Sequence, residues 1–118
     1  MLEKIRRSLR IYRIKKPEQL ADILKSENLP SVNLYICYHF CGTGGPEGTQ
    51  PVYADFYLDV VSDGWNFKKK IYDYSAPLVL YNVDRAFKNA KEIAENWART
   101  LENNGIRTVL DNQISEVK

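Results

Sequence analysis

With 118 residues, 44% of them hydrophobic and 27% charged, the chain has the size and balance of one globular domain, and its composition excludes wholesale disorder. No apolar run approaches the ~20 residues of a membrane span. The net charge of +2 hides an asymmetry: residues 1–16 carry seven Lys/Arg against one Glu, a local +6, and residues 17–118 carry ten against fourteen, or −4. A basic head on a mildly acidic body points to an anionic partner, or to docking on an acidic surface of the chain itself or of a second copy.

The basic N-terminus is not followed by an apolar core or a small-residue cleavage site, so it does not read as a secretory signal. Cys37 and Cys41 are accordingly expected as reduced thiols in a cytoplasm. Eight Tyr and two Trp add side chains that bury large area yet keep a polar handle, a composition suited to interfaces.

In chain order, Leu2, Ile5, Leu9 and Tyr12 fall at helical spacing among Lys4, Arg6, Arg7, Arg10 and Arg13, but Leu9/Ile11 and Tyr12/Ile14 also alternate as a strand does. Segment 1–16 therefore reads as a short amphipathic helix, with a strand as the alternative. Pro17 starts a new helix over roughly 17–27, with Leu20, Ala21, Ile23 and Leu24 on its buried side. Two period-two stretches follow. In 31–41 one face is Val32, Leu34, Ile36, Tyr38 and Phe40; in 51–61 it is Val52, Ala54, Phe56, Leu58 and Val60.

Asp63-Gly64 is a type I′ hairpin signal that sets Ser62 against Trp65, Val60 against Phe67, Asp59 against Lys68, Tyr57 against Lys70 and Phe56 against Ile71. Lys69 falls on the core side of this third strand and is expected at a sheet edge, its ammonium reaching out to water. Residues 72–77 read as a bend and 78–81 as a short fourth strand. Segment 84–106 is the strongest element. Ala86, Phe87, Ala90, Ile93, Ala94, Trp97, Ala98 and Leu101 make one apolar stripe, with Asp84 as N-cap. Gly105 with Leu101 and Ile106 makes the C-terminal stop. Residues 106–110 form a last strand and 112–118 a fraying tail.

The expected architecture is α+β: an antiparallel sheet of three to five strands in the order α-β-β-β-(β)-α-β, with the long C-terminal helix and one or two N-terminal helices on one face. All 118 residues form a single domain, with 1–16 as basic segment, 17–111 as core and 112–118 as tail. The order helix, three antiparallel strands, helix over residues 17–104 resembles, in topology only, the double-stranded-RNA-binding domain. That family opens its last helix with a small, Gly-rich turn and a Lys-Lys pair for phosphate. Here the entry is Tyr81-Asn82-Val83-Asp84-Arg85, without the pair, and topology by itself assigns no function.

The second face of the strands supplies the candidate interaction residues Tyr35, His39, Tyr53, Asp55, Tyr57, Lys68 and Lys70, with Cys37, Cys41, Asp59 and Tyr72 on the same face. If residues 42–50 close a regular hairpin, Tyr35 lies opposite Tyr57, Cys37 opposite Asp55 and His39 opposite Tyr53. Cys37-x-His39-x-Cys41 shares one face but lacks the further ligands a zinc site takes from a second element, so no metal or cofactor is expected. A Cys37–Cys41 disulfide is excluded on a regular strand, where four residues span about 13 Å and a bridge needs under about 7 Å.

Cys41 beside His39 lacks an oriented base from a facing element, so no catalytic residue is assigned. The Gly-rich stretch 42–50 runs into a strand, not into a helix N-terminus, and so does not build a phosphate cradle. Arg6, Arg7, Arg10 and Arg13 are candidate anion or nucleic-acid contacts. The expected function is that of a small cytoplasmic, non-catalytic binding or regulatory protein. It works through protein contacts, with itself or with another protein, and not at a membrane. Nucleic-acid binding by the basic segment and the Lys/Tyr face is the alternative.

Overall fold

A computed structural model of the protein describes residues 13–42, 51–62 and 64–116, with only the backbone at 65 and 67. The elements are α1 (Pro17–Ser26), β1 (Ser31–Gly42), β2 (Pro51–Ser62), β3 (Trp65–Pro77), a 3-10 turn (Leu78–Leu80), α2 (Val83–Asn103) and β4 (Arg107–Glu116). The strands form one four-stranded sheet in the order β3-β2-β1-β4. This is the expected α+β fold, with one difference. β1, β2 and β3 pair antiparallel, but β4 lies parallel to β1, so the sheet is mixed. Since β3 and β4 run the same way, the chain needs a long crossover between them, and α2 provides it.

The core lies between the sheet and the helices. β1 contributes Val32, Leu34 and Ile36, and β2 contributes Val52, Ala54, Phe56, Leu58 and Val60, all buried. Against them α1 sets Leu20, Ala21, Ile23 and Leu24, while α2 sets Ala86, Ala90, Ala94, Trp97 and Leu101. The alanines recur every four residues, on one helix face, and bring the backbone of α2 close to the strands. Phe87, Ile93 and Ala98 flank that stripe half-buried. Ile14 joins the core from the extended lead-in to α1, only 2% exposed. The expected helix positions Leu2, Ile5, Leu9 and Tyr12 lie outside the described residues.

Both helix ends are closed by side chains and glycine-type turns. The Gln19 side chain accepts from the amides of Lys15 and Lys16 at 2.6 and 3.0 Å, securing the start of α1. The N-cap of α2 is Asn82, not Asp84: its Oδ1 accepts the Arg85 amide at 3.0 Å. A side-chain acceptor one residue outside the first turn reaches the free amide, whereas Asp84 is already helical and supplies only favourable charge. The stop is as expected. Gly105 has φ +85°, Ile106 N–H donates to Leu101 O at 3.0 Å, and Gly105 N–H donates to Glu102 O at 2.9 Å. These two bonds define a Schellman turn.

Three other expectations change. The apolar segment 78–81 is not a strand; Leu78–Leu80 turn once as a 3-10 helix because Pro77, with no N–H, ends the ladder. Residues 72–77 are not a bend but the second half of β3. The tail does not fray from 112, since β4 continues to Glu116 with a register shift opposite Tyr35 and Ile36. No helix among the described residues is long and apolar enough to cross a membrane.

Candidate interaction surface

Among the described residues, one face of the sheet carries both helices and the other carries none. The face opposite the helices is built by the alternate residues of each strand. Their exposure follows from period two: while Val52, Ala54, Phe56, Leu58 and Val60 are buried, Asp55, Tyr57 and Asp59 between them are half-buried and Tyr53 is exposed. From β1 come Asn33, Tyr35, Cys37, His39 and Cys41, from β3 Lys68, Lys70 and Asp73, and from β4 Arg107, Val109 and Asp111.

The Asp63-Gly64 hairpin has the register expected near its turn: Ser62 pairs with Trp65, Val60 with Phe67, Asp59 with Lys68 and Tyr57 with Lys70. Gly64 takes φ +82°, the left-handed region such a turn demands. Further on, a bulge opposite Phe56 and Tyr57 adds a residue to β3, so Phe56 pairs with Tyr72 and not with Ile71. The bulge moves Tyr72 off the open face and onto the core side. There its hydroxyl accepts from Asn89 Nδ2 at 3.1 Å and its ring lies 5.8 Å from Phe56. Lys69, opposite Leu58 on the edge strand, is half-buried.

The β1–β2 register differs by two residues from the expected one. Tyr35 pairs with Asp59, Cys37 with Tyr57, His39 with Asp55 and Cys41 with Tyr53. An even slip leaves every side chain on its face, so the same residues meet the surface with different neighbours. His39 and Asp55 are direct cross-strand neighbours. Lys70 Nζ lies 3.3 Å from Asp73 and 3.8 Å from Asp55. The hydrogen bond to Asp73, then the charge of Asp55, raises the Lys70 pKa above the usual lysine value. This ammonium is therefore engaged by carboxylates on its own surface.

The charges of the face nearly balance, with Lys68, Lys70 and Arg107 against Asp55, Asp59, Asp73 and Asp111. Asp59 keeps one carboxylate oxygen shielded from solvent and without a donor among the described residues. Tyr35 and Tyr53 are 43% and 40% exposed, and Val109 at the sheet edge 59%.

The two thiols are free. Cys37 is buried, its Sγ 3.9 Å from Tyr57 O, and burial pushes its pKa up, against the opposing pull of Lys68. A thiol held in that state is a poor nucleophile. Cys41 is exposed and sits on the same strand as His39. Among the described residues no three His, Cys, Asp or Glu converge on a point that could hold a metal ion.

Of the basic contacts, Arg6, Arg7 and Arg10 lie outside the described residues; Arg13 is exposed beside Ile14. A second surface went unread in the sequence. Leu78, Val79, Leu80 and Val83 are 43%, 73%, 69% and 46% exposed around the 3-10 turn. The signal was their apolar run, assigned to a strand. Behind that turn Tyr81 meets Phe40 and Tyr74 at 5.6 and 5.3 Å. Val109 was also missed, because nothing local marks β4 as an edge. Compared with known proteins, the chain matches no family model, no curated protein and no solved structure.

Proposed function

We propose that this chain is a small cytoplasmic, non-catalytic binding protein that acts through protein–protein contacts as a homo-oligomer, using the side of its sheet opposite α1 and α2. The observation that carries the reading is the composition of that side: Tyr35, Tyr53, Tyr57 and Val109 set among charges of both signs in near balance. Tyrosine offers apolar area with a hydrogen-bonding tip at small entropic cost, which suits protein interfaces. A polyanion-binding face needs cations free to neutralise phosphates. Here Lys70 is held by Asp55 and Asp73, and four carboxylates share the surface with three cations. Catalysis has less support, since His39 and Cys41 share one strand and the Cys37 thiol is buried.

Fluorescence anisotropy of labelled single- and double-stranded oligonucleotides, titrated with the full chain at ~0.05–0.2 M salt, tests the choice. The expected result is no saturable binding. Saturable binding that weakens steeply with salt, with a log–log slope of about 0.7–0.9 per phosphate, and that flattens when Arg6, Arg7, Arg10 and Arg13 become Ala, would transfer the function to nucleic acid.

A further inference from the structure

The outer edge of β4 matches itself. Arg107 N–H donates to Pro30 O at 2.9 Å, so the backbone groups of Arg107 turn toward β1. By the alternation of a parallel ladder those of Val109 and Asp111 do the same, and the amides and carbonyls of Thr108 and Leu110 point away from the sheet. Among the described residues no strand pairs with that side. Native sheets protect such edges with lysines, bulges and prolines. The opposite edge has all three: Lys68, Lys69 and Lys70, the bulge opposite Phe56 and Tyr57, and Pro77. On β4 the ladder from Arg107 to Asp111 is regular, and its register shift comes only after Asp111.

We propose that β4 pairs antiparallel with β4 of a second copy about a two-fold axis through Val109. This rests on the homo-oligomer reading above and names its surface. In that register Thr108 faces Leu110 of the second copy. The two exchange N–H···O bonds in both directions, and the symmetric pair does the same. Val109 meets its own copy, which covers an apolar side chain that is 59% exposed in the single chain. Arg107 meets Asp111 of the second copy, twice by symmetry. Both residues are exposed, and neither has an ion-pair partner among the described residues. Asp111 Oδ1 accepts the Gln113 amide at 2.9 Å, which orients the carboxylate and leaves Oδ2 for the guanidinium. The five-residue stretch Arg-Thr-Val-Leu-Asp is thus complementary to its own reverse in charge, in apolar contact and in backbone bonding. The two four-stranded sheets become one of eight, with Tyr35 of each copy one strand from the seam.

Sedimentation equilibrium of the full chain, with circular dichroism and a melting curve for each variant, tests this. The parent is expected at twice the 13.7 kDa chain mass. R107D and D111R each place like charges opposite one another at both ends of the seam, and each should raise the dissociation constant about tenfold or more. The double variant R107D/D111R restores opposite charges and should restore the dimer. Because D111R also removes the Gln113 contact, Val109→Lys serves as a second probe: at an exposed position it should keep the parent's circular dichroism spectrum and a cooperative melt, and sediment as a monomer.

A dimer that keeps parental affinity in both R107D and Val109→Lys would overturn the edge assignment and leave the homo-oligomer reading intact. A parent that stays at 13.7 kDa at every concentration would overturn the homo-oligomer reading, and the edge pairing with it. In such a monomer, Thr108 and Leu110 amides protected from hydrogen exchange would show that the chain's own residues cover the edge.

Discussion

Replacing Trp97 with alanine is expected to lower the unfolding free energy by about 3–5 kcal/mol, the range for truncating a large buried aromatic. Trp97 is 6% exposed and stands on the same face of α2 as Ala90, Ala94 and Leu101. Trp97 belongs to the buried cluster between the helices and the sheet, so truncating the indole leaves a hole in a packed core. The cost is therefore a cavity term added to the lost transfer energy. Urea denaturation followed by circular dichroism measures it, the midpoint falling with little change in slope. A loss under about 1 kcal/mol would mean that α2 does not hold the sheet through this residue.

Phe56→Ala should be as costly, about 3–5 kcal/mol, and should disturb a different part of the core. Phe56 is fully buried at the centre of β2. Its ring stacks on Tyr38 at 5.6 Å, lies 5.8 Å from Tyr72, and meets the edge of Phe87 at 5.7 Å. Such pairs contribute about 0.5–1.5 kcal/mol each beyond the area they bury. Tyr38 also meets Phe87 directly, at 5.1 Å. Phe56→Ala and Phe87→Ala should consequently fail to add in a double-mutant cycle, with a coupling of about 0.5–3 kcal/mol. Additive losses would contradict this shared cluster.

The parts of the fold legible in the sequence are those that short-range chemistry decides. Gly105 with Leu101 and Ile106 marked the end of α2 because only a left-handed residue closes that turn. Asp63-Gly64 marked the hairpin and its register for the first pairs, and the alternation along 31–41 and 51–61 separated core from surface. What failed depended on distance or on one added residue. The two-residue slip between β1 and β2 left no trace in the pattern, because alternation is blind to an even shift. The bulge that turns Tyr72 inward has no glycine to announce it. The parallel placement of β4 is set by where α2 delivers the chain.

The candidate surface shows the same division. Tyr35, His39, Tyr53, Asp55, Tyr57, Lys68 and Lys70 do share one face, as period two requires, but their pairings, including the Lys70–Asp73 contact, needed the register. The self-complementarity of Arg107 to Asp111 is written in the sequence. It acquires meaning only with β4 at the edge of the described sheet and the backbone groups of Thr108 and Leu110 turned outward.

The central claim is that a balanced, tyrosine-bearing sheet surface joins proteins rather than nucleic acid. The most direct measurement is the mass of the full chain in solution, taken with its 260/280 nm absorbance ratio after purification at low salt. The account predicts a mass of at least twice 13.7 kDa with the absorbance of protein alone. A 13.7 kDa particle, or one whose absorbance shows bound nucleic acid lost at high salt, would contradict it.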